Sequence, residues 1–276
     1  VAVPHPAYRI EGPALISFSG GRTSAYMLHE ILRAHDGKLP DDAVVAFANT
    51  GKEREETLRF VHECGSRWGV DIHWLEWRPM PQRYEEVGLN SAARLGEPFE
   101  GLITLRGRLP NPLQRFCSRE LKVEPIKAFC RALGWEHWSN IVGLRHDEGF
   151  RILKKLAEND NGGHRWKSVM PLANAKITRR DVMAFWGQQP FDLDLRPYEG
   201  NCDLCFLKSE GKLKAIIREQ PGVADWWVAQ EANGNRFERA RSYAELARTV
   251  YAQPHMFDDL ADDEHDAECG LLCAAE

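Results

Sequence analysis

No apolar stretch among the 276 residues approaches the roughly 18 that a membrane-spanning helix requires, so no membrane partner is expected. The opening residues, Val1-Ala-Val-Pro-His-Pro6, lack both the basic start and the apolar centre of a secretion signal. Internal repeats and low-complexity tracts are also missing, which removes repeat architectures and long linkers. There is no excess of positive charge: Lys and Arg total 36 against 41 Asp and Glu, a formal net charge of −5. That balance gives no global signal for nucleic acid and leaves only local patches to consider. Nor do the cysteines read as a disulfide framework. There are seven, an odd number, with one Cys-x-x-Cys spacing among them. A cytoplasmic protein is the expectation.

What is present is ordinary in bulk and specific in one place. Hydrophobic residues at 43% and charged residues at 28% suit a globular chain, long enough for one domain or one domain with a small appendage. The chain is organised around residues 14–28. An apolar run over 14–18 reads as a buried strand, breaks at Ser19-Gly20-Gly21, and resumes as a helix with Met27, Leu28, Ile31 and Leu32 on one face. A glycine turn between strand and helix can cradle phosphate. Residues without Cβ let backbone N–H groups approach an anion, and the helix N-terminus adds partial positive charge. Ser19, Thr23 and Ser24 supply hydroxyls, and Arg22 a planar cation suited to phosphate. On these residues alone, an ordinary βα turn is an equal alternative.

Strands and helices alternate beyond the turn. Residues 43–47 read as a second strand ended by Asn49-Thr50-Gly51, 55–68 as a helix and 70–74 as a third strand. Alternation of this kind predicts an α/β fold, an open mostly parallel sheet with ligands at the carboxyl ends of its strands. Cys64 and Cys130 fall on inward helix faces and read as core thiols. Residues 78–118, broken by five prolines and four glycines, predict an irregular lid or binding loop. A helix follows from Pro125, then a strand over 138–144 and a charged, flexible excursion over 151–165. Later helices start at Thr178 (with Asp181 three residues on), near Lys212, after Pro221 and at Ser242 with Glu245. The tail over 258–268 carries seven acidic residues and is expected to be exposed.

Ser19-Gly20-Gly21-Arg22-Thr23-Ser24 resembles the SGGKDS pyrophosphate loop of the adenine-nucleotide α-hydrolase, or PP-loop, superfamily. Within it the chain resembles the phosphoadenosine phosphosulfate (PAPS) reductase-like proteins, including relatives in DNA phosphorothioation. Arg22 stands where Lys is usual and Thr23 where Asp is usual. The GxxxxGK[ST] spacing of the other common phosphate loop is absent. Phe47 to Glu53, followed by Glu56-Thr57, resembles the family's D-T-G-x-E element with Asn49 in place of Asp. Gly143-Leu-Arg-His-Asp-Glu-Gly-Phe-Arg151 resembles its G-x-R-x-x-E-x-x-R element, whose arginines neutralise phosphate or sulfate by paired hydrogen bonds. The resemblance implies nucleotide binding by Ser17, Ser19, Gly20, Gly21, Arg22, Thr23, Ser24, Asn49, Thr50, Gly51, Glu53, Gly143, Arg145 and Arg151. It also implies a Rossmann-like nucleotide-binding domain over 1–200 and a helical extension over 201–276.

Cys117-Ser-Arg-Glu-Leu-Lys122-Val-Glu-Pro125 resembles the Cys-Cys…Lys…Pro segment of assimilatory reductases that carry an iron–sulfur cluster, with Phe116 replacing the first cysteine. Their distant Cys-x-x-Cys is matched by Cys202-Asp-Leu-Cys205. The resemblance implies Cys117, Cys202 and Cys205 as ligands of a [4Fe–4S] cluster, with structural zinc and plain thiols as the other options. Arg106, Arg108, Arg115, Arg119 and Lys122 make the region around Cys117 locally basic, as a solubilising surface or as an anion site. The tail Glu268-Cys269-Gly-Leu-Leu272 is similar to the reductases' last residues, whose cysteine takes the sulfonyl group; Cys269 would do so here, and Cys273 could resolve the adduct. Cys269, Arg145 and Lys122 are then the catalytic candidates.

Three readings stay open. The first is a PAPS reductase-like iron–sulfur enzyme acting on PAPS or APS, with a thioredoxin-type reductant. The second is an ATP pyrophosphatase-type sulfurtransferase that adenylates and thiolates a nucleic acid or small molecule, with Mg2+ beside the nucleotide. True PAPS reductases have largely lost the glycine pair that this chain keeps, which speaks for this one. The third is a non-catalytic nucleotide-binding module with structural zinc. A homodimer is compatible with all three.

Overall fold

The computed structural model describes residues 3–232 and 234–252. Six strands form one sheet: β1 (Ala14–Ser17), β2 (Ala43–Asn49), β3 (Ile72–Trp77), β4 (Tyr84–Val87), β5 (Trp138–Ile141) and β6 (Trp166–Val169). Their order is β4-β3-β2-β1-β5-β6, and every pairing is parallel except β3 with β4. From β1 the chain moves outward through β2 and β3, then crosses to the other side of β1 to add β5 and β6. That reversal makes a switch point between β1 and β5, where open α/β sheets leave a crevice at the carboxyl ends of their strands.

The helices are α1 (Arg22–Ala34), α2 (Glu55–Trp68), α3 (Glu97–Arg106), α4 (Phe116–Ser118), α5 (Glu124–Ala132), α6 (Gly149–Asn161), α7 (Pro171–Asn174), α8 (Arg179–Trp186), α9 (Glu210–Glu219), α10 (Asp225–Gln230) and α11 (Tyr243–Ala252). A π-helical stretch, Arg119–Val123, joins α4 to α5. Successive strand residues face opposite sides of the sheet. Ile16 and Phe47 accordingly pack with Leu28, Ile31, Leu58 and Val61 of α1 and α2, whereas Leu15 and Ala46 pack with Ile126 and Phe129 of α5. Cys64 lies in the first of these cores and Cys130 in the second, both fully buried. Burial pushes the Cys130 thiol up to about 12 and the Cys64 thiol higher still.

A further apolar cluster unites Phe99 and Leu102 of α3 with Leu213, Ile216, Trp227, Tyr243 and Leu246 of α9, α10 and α11. The expected irregular loop over 78–118 is therefore corrected: it contains an edge strand and a helix. Its breakers are helix punctuation. Pro98 occupies the first turn of α3, where its missing N–H costs nothing, and Gly96 (φ 94°) and Gly107 (φ 62°) flank the two ends. The charged stretch over 151–165 is corrected likewise. Most of it is α6, ended by Gly162 at φ 64°; Lys155 is buried and pairs with Glu158, while Leu153 and Leu156 face solvent. Strand β5 ends at Ile141, so Gly143 to Arg145 leave the sheet to build the site. The expected cap of α8 is present, with Thr178 and Asp181 bonded reciprocally.

Candidate functional site

Gly20 turns the chain between β1 and α1 at φ 78°, a conformation L side chains rarely adopt. A Cβ there would stand 2.6 Å from Thr57 Cγ2. The Ser24 hydroxyl closes the turn: it accepts from Ser19 N at 3.1 Å, lies 3.0 Å from Ser19 Oγ and donates to Gly21 O at 2.9 Å. Across the switch point, a Cβ on Gly143 would meet Ser24 Cα at 3.3 Å, so only glycine lets the β5 loop pack this close to the start of α1. Ser17 Oγ donates to Asn140 Oδ1 at 2.6 Å, joining β1 to β5 immediately below.

A single cavity opens over this turn. Its wall includes Ser17 to Ser24, Gly143, Arg145, Arg151, Glu53, Lys122 and Lys208. Seven cationic side chains line it (Arg22, Lys122, Arg145, Arg151, Arg179, Arg196 and Lys208) against the carboxylates Glu53 and Glu148. In a chain that is net acidic, this local excess selects an anionic ligand. Arg145 Nη1 donates to Thr23 Oγ1 at 3.1 Å and its Nε to Asp147 Oδ1 at 3.0 Å, while Arg151 pairs with Glu148. Arg145 thus reaches the first turn of α1, and Arg151 lines the same cavity.

Arg22 is used differently from a simple phosphate cation. Its Nε and Nη2 donate to the two oxygens of Asp192, each at 2.7 Å, and Nη1 donates to Leu195 O at 2.9 Å. The turn is thereby clamped to the segment that runs on to Cys202. Burial works to raise the Asp192 pKa, but the Arg22 hydrogen bonds and charge with the Leu193 N–H bring it below the ordinary carboxylate range. A depressed folded-state pKa stabilises above the unfolded value of about 3.9, and that stability is lost as pH falls through the lower folded value. Asp192→Asn should therefore lower the urea midpoint at pH 7, and the difference from wild type should close below about pH 4.

Asn49, Thr50 and Gly51 do not line the cavity. Asn49 is wholly buried and donates to Glu76 Oε1 at 2.7 Å and Ala93 O at 2.9 Å, while accepting from Gly51 N. Thr50 donates twice to Glu53 Oε2, from N and from Oγ1, both at 2.8 Å. The three residues hold Glu53 in place. The other carboxylate oxygen, Oε1, is buried without a hydrogen bond and lies 3.5 Å from Lys122 Nζ.

The cysteine turn abuts this floor. Glu53 and Cys202 form an antiparallel β-bridge, and Thr50 Oγ1 is 3.5 Å from Cys202 Sγ. Burial pushes the Cys202 thiol well up, Glu53 adds to this, and Lys122 opposes it. Asp203 is a buried hub. It pairs with Lys52 Nζ at 2.9 Å and accepts from Trp227 Nε1 at 2.8 Å and from Leu204 N at 2.7 Å. Cys202 and Cys205 share one turn, and Cys117 at the head of the π-helical stretch packs against the same apolar cluster as Cys202. Among the described residues, no group of three or more His, Cys, Asp or Glu is placed to hold a metal ion. Cys202 and Cys205 thus fit as a pair of ligands, while in this conformation Cys117 does not complete a set of three. Cys269 and Cys273 lie outside the described residues.

Nothing singled out Asp192, Asp203, Arg179, Arg196 or Lys208 in the sequence. Lys208, three residues beyond Cys205, had the one readable signal, its spacing from the cysteine pair. On the surface, Arg106 and Arg119 both pair with Glu120, and Arg108 donates to Gln114.

Fold and site define a Rossmann-like α/β protein with a cavity rich in cationic side chains at its switch point. The sequence model of the phosphoadenosine phosphosulfate reductase domain matches residues 13–191, and the chain belongs to that family. Among similar proteins is the uncharacterized nin region protein ORF290 of Escherichia phage lambda, 28% identical over 218 residues, covering 76% of this chain and 71% of that protein. An uncharacterized 37.8 kDa protein of Escherichia phage 186 is 24% identical over 259 residues, covering 77% of this chain and 73% of that one. The uncharacterized protein MJ0066 of Methanocaldococcus jannaschii is 25% identical over 225 residues, and the match spans 41% of its length. Among solved structures, the U34-tRNA thiolase NcsA of Methanococcus maripaludis with its [4Fe–4S] cluster aligns at TM-score 0.41 and 14% identity, covering 95% of this chain and 80% of that one.

Proposed function

We propose that the chain is an adenine-nucleotide-dependent sulfur-transfer enzyme. The observation that carries this is one cationic cavity whose wall includes the Gly20 turn and residues that touch Cys202. The Gly20 turn, the α1 N-terminus and Arg145 offer donors to a pyrophosphate or phosphosulfate arm. Glu53, Lys122 and Lys208 border the Cys202–Cys205 turn.

The retained glycine pair favours ATP as the nucleotide. The bond between the α-phosphorus and its bridging oxygen would then break, pyrophosphate would leave along the Gly20–Ser24 turn, and the acceptor oxygen would carry AMP. A sulfide sulfur would next displace AMP, which leaves with the acceptor's oxygen, and the acceptor would keep the sulfur. Lys122 would steady negative charge at the reacting phosphate, and Arg145 that on the departing pyrophosphate; both line the cavity. The reductase reading, in which the Cys269 thiolate takes the sulfonyl group from PAPS or APS and a thioredoxin-class dithiol restores it, is the second. Cys202 and Cys205 would supply two ligands to a [4Fe–4S] cluster, a set that Cys117 does not complete in this arrangement. Such a cluster supplies an iron to which sulfur can bind.

Calorimetric titration of the anaerobically purified chain with ATP, PAPS and AMP tests the proposal. ATP should bind at least tenfold more tightly than AMP, which lacks the arm that the turn receives, and Arg145→Gln should remove most of that difference. PAPS binding more tightly than ATP would favour the second reading. Failure of all three to bind would contradict both.

A further inference from the structure

Helix α6 is amphipathic with its sides reversed. Phe150, Leu153 and Leu156 are 83%, 67% and 45% exposed, and Ala157 is exposed with them. At 3.6 residues per turn these positions share one face. The side turned toward the protein is largely polar. There Lys155 is buried and pairs with Glu158, and Asn159 exchanges two hydrogen bonds with Ser168 of β6, at 2.9 and 2.8 Å. Of the four large apolar residues of α6, Ile152 alone packs inward, against Val142, Leu144 and Met170. The helix therefore docks on its own sheet without Phe150, Leu153 and Leu156, which together leave an apolar patch in water.

The charges on this face say what covers it. Asp160 ends the apolar stripe in the last turn, and Lys154 flanks it one turn from Phe150. The first turn of α6 holds no acidic residue and the last no basic one, so Asp160 stands at the negative end of its own helix. A second α6 laid antiparallel reverses that relation. Each Asp160 then lies against the positive end of the other helix and, one turn on, its Lys154. Leu153, Leu156 and Ala157 of the two copies meet between these ends, where the small alanine permits close approach. A parallel arrangement would instead bring the two Asp160 carboxylates together.

We propose that the exposed face of α6 is an interface between two copies of this chain, paired antiparallel about a two-fold axis near Leu153 and Leu156. The cavity wall does not include Phe150, Leu153, Lys154, Leu156 or Asp160, so the interface stands or falls apart from the sulfur-transfer reading.

Sedimentation equilibrium of the reduced full chain, at concentrations up to about 100 μM, reads the association. Wild type should approach twice the monomer mass. Leu153→Glu should weaken association at least about tenfold, because it places a carboxylate from each copy in an apolar contact. Leu113→Glu, at a leucine 85% exposed elsewhere, should leave the association unchanged. Asp160→Lys should weaken it about fivefold, although a cation suits the end of its own helix, and adding Lys154→Glu should restore it. Urea midpoints of the monomeric variants at low concentration show that each is folded, and Phe150→Ser takes the place of Leu153→Glu should that chain fail to fold. A monomeric wild type overturns the proposal, and so does a dimer that Leu153→Glu leaves intact. A dimer that Leu153→Glu dissolves, but whose weakening by Asp160→Lys is not reversed by Lys154→Glu, overturns the antiparallel arrangement.

Discussion

Gly20→Ala is expected to weaken ATP binding on the order of 100-fold while Gly21→Ala leaves it nearly unchanged, although the two residues are adjacent in one turn. The difference is geometric. Gly20 has φ 78°, and its added methyl would stand 2.6 Å from Thr57 Cγ2 and 3.1 Å from Phe47 Cε2, both on buried side chains. Gly21 has φ −102°, and a methyl there meets only Ser19 Oγ at 3.6 Å. Strain at position 20 alone is worth about 1–3 kcal/mol, and relieving it displaces the N–H groups aimed into the cavity. Losing one or two charge-assisted hydrogen bonds, at about 1.5–3 kcal/mol each, accounts for the predicted affinity loss. Calorimetry with ATP reads it directly. Equal affinities for the two variants would mean that the turn does not touch phosphate.

The largest expected stability loss lies at Asp203, between the two cysteines. Asp203→Ala removes the carboxylate that pairs with Lys52 Nζ at 2.9 Å and accepts from Trp227 Nε1 at 2.8 Å, with Lys52 buried and Trp227 wholly so. Removing one partner of a buried ion pair leaves an uncompensated charge and costs about 3–5 kcal/mol. By contrast, Glu63→Ala breaks only the exposed pair with Arg67 and should cost about 0–1 kcal/mol. Urea unfolding of the two variants beside wild type gives the comparison. Asp203→Asn should fall between wild type and alanine, since its amide oxygen can still accept from Trp227 while Lys52 loses its counter-charge. A loss at Asp203 no larger than that at Glu63 would show that the hub does not hold the cysteine turn to the β2 loop.

The parts of the fold that were legible in the sequence are those with a strong local period. Residues 14–34 switch from a short continuous apolar run to a helical stripe across two glycines, and the strand, turn and helix stand where that pattern puts them. Helix α3 was hidden because Pro98, Gly96 and Gly107 look like loop residues until their places at its ends are known. Helix α6 was hidden because charged residues interrupt its apolar ones, of which Phe150, Leu153 and Leu156 are exposed instead of packed in a core. At the site, Arg145 and Arg151 were indicated by the resemblance of residues 143–151 to the family's G-x-R-x-x-E-x-x-R element, and both line the cavity. The partner of Arg22 was not, since Asp192 lies 170 residues away and follows no local rule. Asn49 shows the reverse failure: its motif points to the ligand, yet folding buries it to bind Glu76 and hold the turn that carries Glu53. Only tertiary structure decides whether such a residue touches substrate or supports one that does.

The central claim is that the nucleotide's phosphates sit in the cavity whose Glu53, Lys122 and Lys208 back onto the cysteine turn. A crystal structure of the chain with α,β-methylene-ATP, which cannot be split at that bond, tests it most directly. The account predicts the terminal phosphates within hydrogen-bond distance of the backbone N–H groups of Gly20 to Ser24, with the α-phosphate directed toward Lys122. A nucleotide seated elsewhere on the sheet, or one whose phosphates point away from Gly20, would contradict it.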